Sequence, residues 1–437
     1  MGFWSKLFGG AKAEQASERE RLRQPERADP RESRKKAAES AFVAWCLVEI
    51  RQHPAVERAE AGEGASLPVA IWTRSGDEQK LYLKNTFLET RESSPEGKLA
   101  ALRRLLTGLD DVGGALEWEE ARTSLVPLLR AATFAATVMN EARSMVARPF
   151  VPFLSVFLGT DQDTCIAFTT QKELDAWGQS ADLALAHAIE NMQRHVDAAS
   201  EERPEARLYD KDAPSPIWHL VRDDSYESSR LLLPGYLASF RGKVAGNPIA
   251  IVPHRSLLVI SGDADPQALA RLAKMAEDEF NASPRSVSPV VYSVDANGQV
   301  VPLRLPAEHP QHPLVERGQY LLAQDVYGVQ KAVLEQRFEK EGVDVFVASY
   351  LLFRSAGTGA LYSAGTMTRG VRTLLPETDK ITLVSDGEKT FFVPRAALLE
   401  LAPECFEEAP EFYPPRLRVV AWPEASKLAE LRLLAAR

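Results

Sequence analysis

The sequence predicts an α+β protein. Antiparallel β-hairpins are covered by helices in repeated strand-strand-helix units, with a second, smaller α+β domain behind them. Three observations predict this. Short apolar runs alternate with polar residues and come in pairs separated by Gly, Asp or Asn turns. Helices with start signals and apolar stripes follow these pairs. The unit occurs three times before residue 300, and a hairpin-rich segment follows a proline-rich joint. With 437 residues, 45% of them hydrophobic and 26% charged, the chain is long and apolar enough for several cores.

The chain opens with "MGFWSKLFGG", where Phe3, Trp4, Leu7 and Phe8 form an apolar tip. The tip lacks the apolar run and cleavage site of a secretory signal. Lys6 stands where a myristoylation pattern needs Ser or Thr. Residues 11 to 37 mix both charges with few aliphatics and read as a disordered tail or loose helix. A helix, "SAFVAWCLVEIRQH", precedes the first unit.

That unit is "LPVAIWTRSGDEQKLYLKNTF" with "SSPEGKLAALRRLL". Val69 and Ile71, then Leu81 and Leu83, alternate as in half-buried strands around the turn Ser75-Gly76-Asp77. Ser93, Pro95 and Glu96 form a capping-box start, and Leu99, Leu102, Leu105 and Leu106 supply the buried helical face. The second unit is "FVPFLSVFLGTDQDTCIAFTT", with a turn over 159 to 163, and the helix "SADLALAHAIENMQRHV" capped by Ser180. The third joins strands 248–253 and 256–261 through Pro253-His254-Arg255-Ser256, then starts a helix at Asp265-Pro266. Leu269, Leu272 and Met275 continue its stripe. Between units, "SLVPLLRAATFAATVMNEARSMV" and "SRLLLPGYLASFRGKV" read as helices, the latter started or broken at Pro234. The hairpin "VVYSVDANGQVVPLRL" turns at residues 295 to 298.

The domain reading is a tail over 1–37, a body over 38–305, a proline-rich joint over 306–315, and a C-terminal antiparallel α+β domain over 316–437. The last begins with a helix ending at Gly342. Strands in "VDVFVASYLLF", "LYSAGTMTRGV", "KITLVSDGEKTFFVP" and "LRVVAWP" follow, then a terminal helix.

At "SRLLLPGYLASF", "GNPIAIVPHRSLLVISGD" and "SPVVYSVDANGQVVPL", with the upstream "LYLKNTF" and "RPFVPFLSVFL", the chain resembles the YtpQ-like family of uncharacterised bacterial proteins. The shared feature is a strand, a Pro-x-Arg connection (here Pro253 and Arg255), a second strand, a capped helix and a hairpin. The resemblance covers about residues 40 to 303 and leaves the C-terminal domain outside it. It implies a cytoplasmic bacterial protein of no established activity and transfers no catalytic residues.

Composition excludes several classes. A formal net charge of -9 argues against broad nucleic-acid binding, which needs a basic surface. Three scattered cysteines, Cys46, Cys165 and Cys405, allow no disulfide framework or CxxC metal motif. Cys46 and Cys165 read as small buried hydrophobes. No stretch of about 18 apolar residues predicts a membrane span. The aspartates of "TDQDTC" miss the spacing of an aspartate-nucleophile phosphatase, and the glycines of "SAGTGALYSAG" miss a dinucleotide fingerprint. His309 and His312 sit in the proline-rich joint without a nearby cysteine, and His187 and His195 share one helix. No cofactor, metal or catalytic residue is expected.

Two polar clusters remain as candidate ligand sites. "VRDDSYESSR" carries Asp223, Asp224 and Glu227 beside Arg222, either as acids at a helix start or as a charged site. In Pro253-His254-Arg255-Ser256, Arg255 has the fork for a phosphate or carboxylate and His254 can carry a proton. Read as a plain connection, both face solvent and serve only the turn. Arg148, ahead of the strand "FVPFLSVFL", completes an anion groove if the sheet order brings it beside Arg255. The favoured function is a non-enzymatic cytoplasmic protein-binding or adaptor module with an unknown protein partner. The alternatives are a small-anion or metabolite sensor or unrecognised enzyme built on His254, Arg255 and the 222–227 acids, and a peripheral membrane protein held weakly by residues 1–10.

Overall fold

Phe42, Cys46 and Ile50 follow one another at four-residue spacing, and that stripe buries one face of α1 (Pro30–Arg51). It packs with the inward residues of β1 (Val56–Ala61) and β2 (Pro68–Thr73), namely Val56, Ala59, Val69 and Ile71. β3 (Glu78–Tyr82) pairs with β2 at Val69–Leu81, the hairpin expected from the alternation. β1 was not evident in the sequence, because "VERAEA" carries only small or isolated apolar residues. "LKNTFLE" turns helical as α2 (Lys84–Glu89). α3 (Pro95–Asp110) delivers Leu102 and Leu106 to the core. Its cap is Ser94, whose Oγ accepts from Gly97 N at 3.2 Å, in place of the expected Ser93.

The structure, a computed structural model, describes residues 30–435 except 63–66, 75, 77, 111–115, 136–143, 163–165, 203–205, 209–215 and 221–225. Phe3, Trp4, Leu7, Phe8, Asp223 and Asp224 lie outside the described residues. The chain divides into two compact units, Met1–Gly113 and Gly114–Arg437. The joint at 306–315 therefore lies inside the second unit.

In the second unit, α4 (Trp118–Ser124) leads into β4 (Leu125–Ala131), where a helix was expected. The run "LVPLL" has no helical stripe, and Pro127 would break an interior turn. β4 pairs residue for residue with β6 (Leu154–Asp161) and forms the edge where Pro127 is tolerated. β5 (Ala147–Val151) and β7 (Ile166–Phe168) pair with β6 as well. α5 (Gln171–Trp177) opens with a Thr170–Glu173 capping box, and α6 (Ala181–Glu202) starts at Ser180 as expected.

β8 (Ala206–Leu208), β9 (Trp218–Leu220), β10 (Pro248–Ile251), β11 (Val259–Gly262), β12 (Val291–Val294) and β13 (Val300–Pro302) form an antiparallel sheet of order β13-β12-β10-β11-β9-β8. Asp265 caps α7 (Pro266–Ala282), accepting from Gln267 N at 2.9 Å. Its Leu269 and Leu272 cover one face of this sheet. Residues 229–244, expected as a helix started or broken at Pro234, hold two short 3-10 turns instead, Ser228–Leu232 and Leu237–Phe240, with Gly235 between them at φ 74°. All of Ser228–Leu232 is buried, so no solvent-facing stripe exists to sustain a longer helix.

α8 (His312–Glu341) runs from the hairpin core into the C-terminal sheets. Leu322 and Val326 enter the core built by β4, β6 and the 3-10 turns; Leu334 packs with Val347 and Leu374 further on. β14 (Phe346–Val347), β15 (Leu351–Arg354), β16 (Leu361–Thr368), β17 (Thr373–Pro376), β18 (Lys380–Val384), β19 (Phe391–Pro394), β20 (Phe406–Ala409) and β21 (Arg416–Val419) make two four-stranded sheets, β14-β17-β21-β20 and β15-β16-β18-β19. β14–β17 and β16–β18 are parallel, so this part is mixed and not purely antiparallel. α9 (Arg395–Leu401) and α10 (Ala425–Ala435) cover it. No helix among the described residues is long and apolar enough to cross a membrane.

Arg416, 1% exposed, fastens α8 to these sheets. Its guanidinium donates to Gln330 Oε1 at 2.6 Å, Ala348 O at 2.9 Å, Leu374 O at 3.1 Å and Tyr327 O at 3.4 Å. Gly318 sets the seat of α8 at its other end, because a Cβ there would meet Pro289 O at 2.5 Å. Helix propensity alone favours Gly318→Ala by about 1 kcal/mol. The seat reverses the sign: urea unfolding of Gly318→Ala should show a net loss of about 1–3 kcal/mol, and a gain would mean that α8 does not press on residue 289.

Candidate functional site

Four segments meet around the connection between β10 and β11. Its main chain is held on the side of residues 285–288: Val287 N donates to Pro253 O at 2.8 Å and Ser288 N to Val252 O at 3.2 Å. A β-bridge joins His254 and Ser286. On the other side Ser228 N donates to Arg255 O at 3.2 Å, which seats the first 3-10 turn on the connection. Ser229 Oγ then accepts from Leu129 N at 3.1 Å and brings in β4. His254 and Arg255 are therefore half-buried, and the expectation of a turn facing solvent is corrected.

The order of charges follows from these bonds. Arg130, next to Leu129, is 9% exposed. It donates to Leu129 O at 2.7 Å, and its guanidinium carbon lies 5.8 Å from the centre of the Phe134 ring. Burial, and then the nearby Arg285, lower its pKa to about 10. Arg416 shows what a satisfied buried guanidinium looks like in this protein, with four acceptors around it. Arg130 has one, and no ion pair among the described residues. In the 3-10 turn bonded to Leu129 through Ser229, Ser228 Oγ is buried without a hydrogen-bond partner among the described residues.

The imidazoles are tuned by the same corner. His254 Nδ1 accepts from Ser256 N at 3.3 Å, and Nε2 faces the Glu279 carboxylate of α7 at 3.8 Å. Burial lowers the His254 pKa, Glu279 opposes this, and His219 of β9 lowers it further. His219 is lowered by burial too, against the pull of Glu227, which is itself 2% exposed. Both rings are held toward the neutral form.

Of the residues singled out in the sequence, His254, Arg255 and Glu227 come together. Arg148 does not join them: from β5 its Nε donates to Asp182 Oδ1 at 2.9 Å, in the first turn of α6, as an exposed ion pair. Arg130, His219 and Arg285 were missed. A lone cation inside "LVPLLRAATF" was the available signal for Arg130. Nothing local marks His219 or Arg285, which depend on strand order. Chemically, the corner offers guanidinium donors, a hydroxyl and two poised imidazoles, which is an oxyanion-binding set.

No family model and no solved structure matches this chain. It is similar to UPF0354 proteins of Shouchella clausii (21% identical over 208 residues, 48% of this chain and 75% of the relative), Listeria welshimeri (22% over 204 residues, 46% and 72%) and Listeria innocua (23% over 217 residues, 48% and 77%). An uncharacterised bacterial family fits the sequence.

Both histidines start from 6.5 and are lowered by folding. The unfolded chain then binds more protons below about pH 6.5, so the stability they contribute is present above that pH and is lost as pH falls through the folded values. The melting temperature should therefore fall between pH 7.5 and 5.5, and His219→Gln/His254→Gln should flatten that slope. An unchanged slope in the double variant would place both rings in solvent.

Proposed function

We propose that the second unit is a small-anion or metabolite-binding module that uses the corner around Arg130. One observation carries the reading: a buried guanidinium with a single carbonyl acceptor among the described residues, in the field of a second arginine. An uncompensated buried cation is costly, and an oxyanion supplies both the counter-charge and the missing acceptors. Arg285 and Arg255 lie on the paired segments that wall the corner. His254, with its proton on Nε2, answers a change in ligand charge by taking up a second proton.

The cytoplasmic location expected from the sequence belongs to this reading. The resemblance to YtpQ-like proteins belongs to this reading as well; the UPF0354 relatives support an uncharacterised bacterial family. A protein-binding module is the second reading and is compatible with the first, since a sensor passes its state to a partner.

Titration with sulfate or phosphate against chloride at equal ionic strength tests the site. Ligand at about 100 times its Kd should stabilise the full chain by about 2.7 kcal/mol. Arg130→Met should abolish that gain while leaving the ligand-free chain as stable as, or more stable than, the parent. Arg416→Met, by contrast, strands several acceptors and should cost about 3 kcal/mol or more. A loss of similar size at Arg130 would make it a structural arginine and end the proposal.

A further inference from the structure

From Ser40 to Val48 the sequence of α1 reads "SAFVAWCLV", nine residues without a charge. Nine helical residues make about 2.5 turns, so this part of α1 is uncharged on every side. One side is the core face of Phe42, Cys46 and Ile50. Away from it stand Ala44, Leu47 and Val48, the last 55% exposed. A helix that is apolar all round is normally a buried helix, so the second side asks for a cover. Ala44 and Leu47 line a hollow of about 380 Å³, bounded on the sheet side by Ala61 and Gly62 at the end of β1 and by Leu67 just before β2. Leu67 is held at φ 52°, a left-handed conformation that strains any residue with a Cβ. An apolar side chain is thus kept at a position that glycine would fill more easily.

The cover has to be apolar and larger than one side chain. A dry cavity of about 150 Å³ houses a single benzene ring, so this space takes two. Residues 63–66, Glu-Gly-Ala-Ser, lie between β1 and β2 in the chain and carry no apolar group larger than a methyl. Residues 1–29 precede α1, and their one cluster of large apolar side chains is Phe3, Trp4, Leu7 and Phe8. The spacing pairs Phe3 with Leu7 and Trp4 with Phe8 on one side of a helical turn. Reach is no obstacle. Residues 9–29 can span up to about 70 Å, and Ala44 lies about 20 Å along the helix from Pro30. Pro30 opens α1, and proline biases the residue before it out of helix, so a reversal of the chain there breaks no helix.

We propose that the chain's own apolar tip docks in this hollow, with Phe3, Trp4, Leu7 and Phe8 against Ala44, Leu47 and Leu67, and so covers the second side of α1. The tip is then part of the first unit, and it meets a membrane or another protein only when released.

Fluorescence anisotropy tests this with a labelled peptide of residues 1–10, the full chain, and a chain lacking residues 1–10, which retains every described residue. The truncated chain should bind the peptide. The full chain should bind it at least about tenfold more weakly, because its tethered tip competes at millimolar effective concentration. Ala44→Glu, at an exposed helical position, should weaken peptide binding to the truncated chain at least about tenfold with circular dichroism unchanged. A peptide carrying Phe3→Ser/Trp4→Ser/Leu7→Ser/Phe8→Ser should not bind, a control that asks no variant of the protein to fold. No binding to the truncated chain overturns the proposal, as does equal binding by the full and truncated chains, or binding indifferent to Ala44→Glu. A dimer of the full chain that truncation abolishes, seen by analytical ultracentrifugation, overturns it in favour of a second copy. Flotation of the full chain with phosphatidylcholine vesicles, at the same recovery as its Ala44→Glu variant, overturns it in favour of a membrane.

Discussion

A guanidinium taken out of water has five donors to satisfy, and the second unit is organised around how it meets that demand. At Arg416 the acceptors are main-chain carbonyls from α8, from the start of the C-terminal sheets and from β17, together with Gln330. Gln330 is held in turn by Pro414 O, so the network closes on itself. Because those acceptors come from distant parts of the chain, the arginine fixes where α8 lies against the sheets. The helix then carries that position back to the hairpin core, where Leu322 and Val326 pack.

The same demand is met differently at Arg130. Its strand is an edge strand, held through Leu129 to Ser229, and its surroundings add cationic and imidazole groups. Main-chain bonds hold the corner together from both sides of the β10–β11 connection. The side chains are therefore released from building the turn. The short stretch Pro253-His254-Arg255-Ser256 is thus a chain reversal in its backbone and a polar wall in its side chains, so the two readings of it describe different atoms.

Much of the local architecture was legible. The Asp265-Pro266 helix start, the Ser180 cap, the turn at Asp295 and the stop at Gly342 each rest on bonds made within a few residues. Such signals survive whatever the rest of the chain does. The misreadings share a cause. "SLVPLLRA" and "SRLLLPGYLASF" are apolar throughout, and an element buried on all sides shows no period to read. Only β6, pairing along the whole of the first run, makes it a strand. The site was legible to the same degree: His254, Arg255 and Glu227 stood out as polar residues in apolar company, whereas Arg148 stood out and goes elsewhere.

By itself, then, the sequence determined the α+β class, the hairpins, the helix ends and a short set of polar residues worth following, because each depends on neighbours in the chain. Tertiary structure alone decided that α8 continues the core past the proline-rich joint, that β4 is a strand, and that Arg130, Arg285, His219 and His254 share one corner. Those outcomes depend on strand order and on which buried charges find acceptors. Both are set by contacts between residues far apart in sequence, where no local pattern records them.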